Sequence, residues 1–302
     1  MGLRDIGARP MPCIFLTRPS IITLGNMPEF SIDLPLSMQR LRGTIARVPS
    51  PVEAFDMFAR PPRAEPARKE ALFIESAERF TLEDSGDKIA AFAWGTGPVV
   101  ALVHGWGGRG VSLCSFIQPL LDRGFRVVTF DGPGHGDSEG SVCSVLRMSR
   151  CLALLQEREG GFAGVIGHSF GAGGITVALG RGLEVARVVQ IAPLVDMVER
   201  FRQWATAVGM SIDGFREMMR HSDQVYGRGA VKAASGDLIA PKLVVPALIL
   251  HDPEDDEVPF AGAIRLVRSW KGALLEEVPK LGHYKIVRSP AVVDRSIAFV
   301  TG

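Results

Sequence analysis

Ser169 stands in the stretch GVIGHSFGAGG, with glycines two residues before and after it, at Gly167 and Gly171. This G-x-S-x-G spacing is typical of a nucleophile elbow, a sharp turn that leads from a strand into a helix. Glycine is required at the two flanking positions because side chains there would collide in so tight a turn. The turn places the hydroxyl at a helix N-terminus, where the dipole favours developing negative charge. The pattern therefore predicts a nucleophilic serine; the alternative is a packing turn with an incidental serine.

A serine hydroxyl is a weak nucleophile at neutral pH and needs a base, for which the chain offers six histidines. His221 lies in a charged stretch that we expect at the surface, and His251 ends an apolar run beside several acids. The order Ser…Asp/Glu…His that accompanies G-x-S-x-G favours a late histidine, and His283 in KLGHYKIV meets that condition. The remaining histidines precede the serine in glycine-rich loops: His104, His135 and His168.

The stretch HDPEDDEVPF is acidic at every position from 252 to 257 except Pro253, directly after the apolar run VVPALIL. A charge cluster at a strand end is commonly a solvated loop. The functional interpretation is that one of these carboxylates holds a catalytic histidine in the correct tautomer and stabilises its imidazolium form. The residue types alone leave open which carboxylate that is.

A second motif competes with the serine. GWGGRG, residues 105–110, fits G-x-G-x-x-G between a predicted strand and a predicted helix, and Asp131 follows it by about twenty residues. This is the fingerprint of a dinucleotide site, with the acid placed for a ribose hydroxyl. At this point an NAD-dependent oxidoreductase remains an alternative to a serine enzyme.

The composition excludes several other classes. The 302 residues are 46% hydrophobic with a net charge of +1, so neither nucleic acid nor anionic lipid is expected as a main partner. No apolar run reaches the ~18 residues that span a bilayer, so we expect no stable membrane insertion and a cytoplasmic protein. Without CxxC spacing, we expect the cysteines to be free thiols rather than zinc ligands; they are Cys13, Cys114, Cys143 and Cys151.

The elements that must position these residues begin near residue 67. Residues 1–66 are proline-rich, with short helices expected around SMQRLRGTIARV and VEAFDMFA. From there ALFIESAERFTL and DKIAAFAWG are interpreted as strands, followed by alternating strands and helices such as PVVALVH, FRVVTFD and GFAGVIGHS. Such alternation predicts an α/β fold: a mostly parallel central sheet with helices on both faces.

Five motifs occur in one order: HGWGG, DGPGHGDS, GHSFG, HDPEDDEVP and GH. With them the chain resembles the α/β-hydrolase superfamily, among its small bacterial serine esterase-like members, over roughly residues 70–300. The resemblance implies an α/β-hydrolase domain over 67–302. It also implies that residues 105–110 form an oxyanion loop rather than a dinucleotide site. Asp131 then belongs to a loop that shapes the active site.

The resemblance also implies a catalytic triad. In the family the acid commonly occurs in D-x-x-V-P, a spacing that here selects Asp255, to orient His283 beside Ser169. It implies backbone oxyanion donors at Trp106, in HGWGG, and at Phe170, after the nucleophile. The other candidates for the triad acid are Asp256, Asp252 and Asp196.

These residues imply a serine hydrolase that cleaves a carboxylic ester, or a related acyl bond, of a small molecule through an acyl-enzyme, with no metal or organic cofactor. One alternative is acyl transfer, or other non-hydrolytic chemistry, on the same triad. Another is a non-catalytic binding protein on this fold. An ester, an amide and a thioester are equally compatible with the residues.

A helical cap is expected at about 195–240, inserted between two strands as two or three helices. Its apolar residues recur at helical spacing and could line an acyl pocket, or only pack the cap onto the main domain. Residues 1–66 could wrap the domain, cover the pocket or mediate dimerisation, so a homodimer stays open. The predicted pocket residues are Phe201, Trp204, Phe215, Met218 and Met219.

Overall fold

The computed structural model of the protein describes residues 34–42 and 44–302. The first 33 residues of the predicted proline-rich extension, with Cys13, lie outside the described residues. The strands are β1 Glu78–Asp84, β2 Asp87–Trp94, β3 Val99–Val103, β4 Arg126–Phe130, β5 Phe162–His168, β6 Val185–Ile191, β7 Ala247–His251 and β8 Ala273–Glu277. The helices are α1 Leu36–Arg42, α2 Pro51–Ala59, α3 Arg68–Ser76, α4 Ile117–Leu121, α5 Val145–Glu159, α6 Phe170–Gly180, α7 Met197–Ala207, α8 Ile212–Tyr226, α9 Ala230–Ala233, α10 Gly236–Ile239, α11 Phe260–Ser269, α12 Gly282–Lys285 and α13 Pro290–Thr301.

The strands form one sheet in the order β1-β2-β4-β3-β5-β6-β7-β8. The pairs β1–β2 and β2–β4 are antiparallel, and every other neighbouring pair is parallel. Side chains from α5, α6 and α11 pack on one face of the sheet, and side chains from α4 and α13 pack on the other. The predicted α/β fold with a mostly parallel sheet is therefore confirmed.

The central strands are apolar on both sides because helices cover both faces. Four of the five residues of β3 and all five of β7 are buried. The carboxyl ends of parallel strands meet at one edge of a sheet, and loops there commonly carry the functional groups. The segments after β3, β5, β7 and β8 therefore come together at this edge, which we call the carboxyl edge.

One predicted element is wrong. ALFIESAERFTL, interpreted as a single strand, is split between the end of α3 and the beginning of β1. The helix begins where Glu70 accepts a hydrogen bond from the N–H of Ala67 at 2.9 Å, and Phe73 accepts one from the indole of Trp94. A short apolar run fits both periodicities, so tertiary contacts decide its state. Strand β8 and helix α11 were also absent from the predicted elements.

The insertion between β6 and β7 contains α7, α8 and the short helices α9 and α10, more helices than the two or three predicted. His221 on α8, expected at the surface, is partly buried because its ring meets that of Phe55 edge-on, with centroids 5.0 Å apart. In the described part of the chain, no helix combines the length and hydropathy needed to cross a membrane. The described cysteines are buried free thiols, as predicted: Cys114, Cys143 and Cys151.

Candidate active site

Ser169 lies between β5 and α6 with φ 52° and ψ −115°, a conformation that non-glycine residues rarely adopt. The turn is tight on both sides. A Cβ at Gly167 would lie 2.3 Å from the Cδ1 of Ile175, and one at Gly171 would lie 2.3 Å from the carbonyl oxygen of His104. Backbone atoms therefore require glycine at position 171, as the sequence pattern predicts, whereas at position 167 the closest atom is the end of a side chain and the nearest backbone atoms, those of Ala172, lie 3.2 Å away. The strained backbone is held because neighbouring strands over-determine it: the N–H of Ser169 donates to the carbonyl of Ile191 at 2.9 Å.

His283, in α12 after β8, contacts the serine directly. Its Nε2 lies 2.9 Å from the Oγ of Ser169, and its Nδ1 lies 2.7 Å from the Oδ2 of Asp255. A carboxylate only accepts hydrogen bonds, so Nδ1 carries the proton and Nε2 is left to accept from the hydroxyl. The structure thus brings three residues separated by up to 114 positions into one hydrogen-bonded chain.

Asp255 has a fully buried side chain. Its Oδ1 accepts from the backbone N–H groups of Glu257 and Val258 at 2.8 and 2.9 Å, which fixes the carboxylate in the loop after β7. Burial opposes ionisation of this carboxyl, but hydrogen bonds from His251 and His283 outweigh burial and hold its pKa well below the ordinary value. The carboxylate is therefore charged at neutral pH.

The other acids of this loop have separate roles. The Oδ2 of Asp252 accepts from the backbone N–H groups of Leu281 and Gly282 at 2.7 and 2.5 Å, and so ties the loop after β7 to the segment that carries His283. Burial opposes its ionisation, yet the backbone hydrogen bonds lower the pKa of Asp252. Glu254 and Asp256 are exposed. In this cluster Asp255 contacts the histidine, Asp252 joins two loops, and Glu254 and Asp256 face solvent.

Two histidines that sequence reasoning set aside support this arrangement. His168 donates from Nε2 to the carbonyl oxygen of His283 at 2.9 Å, and burial lowers the pKa of His168 to about 3, so its ring is neutral. His251 is fully buried, with Nε2 3.1 Å from the carbonyl of Val258 and 3.3 Å from the Oδ2 of Asp255. The position of His251 at the end of an apolar strand could have indicated that its ring is buried beside the acids. No residue near His168 in the sequence indicated its contact with His283.

The predicted oxyanion donors both lie beside Ser169. Phe170 is the first residue of α6, so its N–H has no partner within the helix. Trp106 follows β3, and its ring meets that of Phe170 edge-on, with centroids 5.0 Å apart. This contact holds the loop after β3 against the start of α6. Both residues line the same cavity as Ser169.

Asp131 belongs to the scaffold behind that loop. Its fully buried carboxylate accepts from the backbone N–H groups of Gly110 and Asp137 at 2.7 and 2.8 Å. These bonds commit the group to joining two loops rather than to a ribose hydroxyl. Burial raises the pKa of Asp131 and lowers those of His104 and His135 to about 4 and about 3. Among residues 34–42 and 44–302, no group of three or more His, Cys, Asp or Glu side chains could hold a metal ion.

A cavity of about 370 Å³ opens above Ser169. Its roof includes residues of the segment 34–66, which we call the N-terminal strap, together with α7. The strap is tied down by Trp204, whose indole donates to the carbonyl of Ala54 at 2.8 Å, and by the N–H of Cys143, which donates to the carbonyl of Ala59 at 2.8 Å. The strap residues at the cavity are Ser37, Met38, Met57, Phe58, Arg60 and Pro62.

The predicted pocket residues divide between two helices. Phe201 and Trp204, on α7, line the cavity. The α8 residues do not, because the apolar side of α8 packs against α2 and the core instead: Met218 is fully buried there, and the partly buried Phe215 and Met219 pack against the same core. For these three residues the alternative interpretation holds, in which the apolar stripe packs the cap onto the rest of the protein. The strap, together with Tyr226 at the end of α8, lines the cavity in place of these three residues.

The sequence profile of the Alpha/beta hydrolase family matches residues 100–295. This stretch is well over half of the chain and includes Ser169, Asp255 and His283. The chain belongs to the alpha/beta hydrolase family. Its parallel strands place these residues at one edge of the sheet.

Solved structures of similar fold include Est1E from Butyrivibrio proteoclasticus, with ferulic acid bound, at 17% identity and a TM-score of 0.58 over 74% of this chain and 100% of that one. An esterase from Exiguobacterium antarcticum matches at 17% identity and a TM-score of 0.57, over 72% of this chain and 97% of its own. A bromoperoxidase from Bacillus anthracis matches at 18% identity and a TM-score of 0.58, over 75% and 100%. The TM-scores show a shared fold, and at these identities the likeness shows the fold alone.

A curated relative is similar over a short stretch. The pimeloyl-[acyl-carrier protein] methyl ester esterase of Methylococcus capsulatus is 52% identical over 44 residues. The aligned stretch spans 15% of this chain and 17% of the relative's length.

Proposed function

We propose that this alpha/beta hydrolase is a serine hydrolase that cleaves a carboxylic ester, or a related acyl bond, of a small molecule. The observation that carries the proposal is the hydrogen-bonded chain from Ser169 Oγ to His283 Nε2 at 2.9 Å and from His283 Nδ1 to Asp255 Oδ2 at 2.7 Å. These distances are within the range expected for a nucleophile, its general base and the group that orients the base.

In the first half-reaction the Oγ of Ser169 attacks the acyl carbon while the Nε2 of His283 takes the hydroxyl proton. Asp255 keeps the proton of Nδ1 in place and stabilises the imidazolium. The tetrahedral intermediate collapses when the bond to the leaving alcohol breaks, and the imidazolium gives that alcohol the proton from Nε2. The product bound to the protein is an ester of Ser169.

The negative charge of the intermediate develops on the former carbonyl oxygen. The backbone N–H groups of Trp106 and Phe170 are the donors proposed to meet it, the second assisted by the N-terminus of α6. Losing one such donor typically costs about 10²–10³ in rate. In the second half-reaction water gives its proton to His283 and attacks the acyl carbon, and Ser169 leaves with that proton returned to its Oγ.

The relatives support ester hydrolysis as the reaction class. The Exiguobacterium protein is named an esterase, and the curated relative is named a methyl ester esterase. The bromoperoxidase shares the fold under a different name, so fold alone does not carry the choice. The choice comes from the serine, histidine and aspartate.

The first test uses a fluorophosphonate probe on the purified full chain, with the adduct located by peptide mass. We expect labelling at Ser169 and none in Ser169→Ala. Ser222→Ala is the matched control, because that buried hydroxyl donates within α8, to the carbonyl of Met219. A protein that circular dichroism shows to be folded, and that takes no label, would contradict an activated serine and favour a non-catalytic binding role.

A further inference from the structure

The charged side chains at the cavity are of one sign. Among the described residues that line it, Arg60 and Arg200 carry the formal charges, and no aspartate or glutamate is present. The remaining walls are mostly apolar, with Met57, Phe58 and Trp204 among them. Positive charge above a nucleophilic serine has no use in binding a purely apolar acyl chain, so it requires its own explanation.

Arg200 is the more informative of the two. It lies on α7 and its Nη1 donates to the carbonyl oxygen of Glu257 at 3.1 Å, with the Oε1 of Gln203 3.5 Å away. No carboxylate of the described residues forms an ion pair with it. The nearby Glu257 carboxylate is taken by Ser37, which donates from its N–H at 2.9 Å and its hydroxyl at 2.5 Å.

The guanidinium is also partly removed from water. Burial lowers the pKa of Arg200, against the attraction of Glu257, yet an arginine remains charged in proteins. A guanidinium offers five N–H donors, and Nη1 alone has acceptors among the described residues. The remaining donors of a charged group at a cavity wall are available to a bound anion, and a carboxylate matches its planar fork.

We infer that the acyl substrate of this enzyme carries a carboxylate, bound by Arg200, at a position remote from the ester that Ser169 attacks. The inference rests on the proposed function and names its substrate class: a half-ester of a dicarboxylic acid, with an apolar chain or ring between its two ends. The apolar walls suit that middle part, and a cavity of about 370 Å³ suits a small molecule. Arg60, which is exposed, adds attraction for an approaching anion.

Arg200 also has a structural contact, because Glu257 lies two residues after Asp255 in the same loop. A purely structural role would affect every substrate alike, since it would act through the position of Asp255. A binding role affects charged substrates selectively. The decisive measurement is therefore a ratio of kcat/KM values for two esters that differ only in charge, measured on the same variant.

The experiment compares monomethyl adipate with methyl hexanoate, which replaces the carboxylate by a methyl group, by following methanol release from the full chain. We expect the wild type to prefer the half-ester and Arg200→Gln to lower the preference ratio about tenfold or more, as for loss of a charged hydrogen bond. Arg200→Lys should retain part of the preference. Arg216→Gln, on the exposed side of α8, is the matched control and should leave the ratio unchanged.

Equal preference for the two esters in the wild type, or a ratio unchanged in Arg200→Gln, would overturn the inference. A methyl ester of the same chain length that carries a phosphonate in place of the free carboxylate tests which anion is bound. If the wild type prefers this ester to monomethyl adipate, the group that Arg200 binds is a phosphate-like anion rather than a carboxylate. Binding of monomethyl adipate to Ser169→Ala by calorimetry separates the two proposals. Selective binding without probe labelling of Ser169 would retain the anion site and reject the hydrolase, whereas labelling without selective binding would do the reverse.

Discussion

The cavity is bounded by two regions that are built differently. At the carboxyl edge, Asp255 accepts two backbone hydrogen bonds and Asp252 accepts three, and Ser169 is held in a strained conformation by its neighbouring strands. The roof of strap and α7 is held mainly by ring contacts and a few bonds, such as that from Trp204 to Ala54. Phe58, for example, meets the ring of Phe201 with centroids 4.4 Å apart.

The difference indicates a division of tasks. Groups that exchange protons must stay within a few tenths of an ångström of their working positions, and dense backbone hydrogen bonding achieves this. A roof of aromatic and flexible side chains adapts to the shape of a ligand and determines which ligand is held. Changes at the carboxyl edge should therefore act on kcat, and changes in the roof on substrate preference and KM.

The largest expected effect tests the edge through its two adjacent aspartates. Asp255→Asn keeps the size of the group but removes its charge and favours the wrong tautomer of His283, so kcat should fall by about 10⁴. Asp256→Asn is the matched control, because that side chain is exposed, and should remain within about threefold of the wild type. Turnover of a chosen ester under saturating substrate measures both. If kcat fell strongly in Asp256→Asn and was kept in Asp255→Asn, Asp256 rather than Asp255 would be the acid that orients His283.

A second prediction concerns the acid stability of the edge. His104, His135 and His168 have pKa values of about 4, 3 and 3, each lowered mainly by burial, against 6.5 in an unfolded chain. The unfolded state binds more protons below pH 6.5, so stability is complete above that pH and falls towards pH 4. The loss is roughly 1 kcal/mol per pH unit for each histidine. The raised pKa of Asp131 acts in the opposite direction, but as a single group.

Urea unfolding at pH 7 and pH 5 measures this loss. His104→Gln removes one titrating ring and should reduce the difference between the two pH values, although it destabilises the protein at pH 7 by removing the bonds of His104 to Gly105 and Gly132. Equal unfolding free energies at the two pH values would show that these rings are not buried as neutral groups.

The two regions also differ in what their sequence reveals. The elbow was predictable because Gly167 and Gly171 stand two residues from Ser169 in the sequence, although the carbonyl oxygen that crowds Gly171 belongs to the distant His104. The order of the motifs likewise indicated which residues would meet at the edge. The hydrogen bond from the N–H of Gly282 to Asp252 could not be predicted from the sequence. The partners are 30 positions apart, and every residue type except proline has a backbone N–H. The same holds for His168 and His283, which are 115 positions apart.

The roof was harder to predict for a related reason. The strap is proline-rich and has weak periodicity, and Ser37 meets Glu257 across 220 positions. The apolar stripe of α8 was visible, but periodicity identifies a buried face without telling whether it faces a cavity or another helix. This stripe of α8 packs on α2, and the strap lines the cavity together with Tyr226 at the end of α8.

A third prediction concerns a substitution in the roof that widens the cavity. Phe58→Ala removes the ring that meets Phe201 and stacks near Trp106, with centroids 6.4 Å apart. The wider cavity should shift the preferred acyl chain to a longer one and lower kcat/KM for the shortest good ester about tenfold. A series of methyl esters of increasing chain length measures the shift. Val52→Ala, on the exposed side of α2, should leave the series unchanged; a uniform loss at every chain length in Phe58→Ala would indicate damage to the edge instead.

The smallest expected effect tests the bond between the two regions. Ser37→Ala removes the hydroxyl that donates to Glu257 and leaves the bond from its own N–H, so about 1–2 kcal/mol of stability should be lost. Because this bond attaches the strap to the loop that carries Asp255, we expect KM to rise a few-fold while kcat is kept. Ser76→Ala is the control, since that exposed hydroxyl donates to the carbonyl of Phe73 in its own helix. Urea unfolding and steady-state kinetics measure the two effects. A fall in kcat at unchanged KM would mean that the strap positions Asp255, and the division of tasks between roof and edge would then fail at this contact.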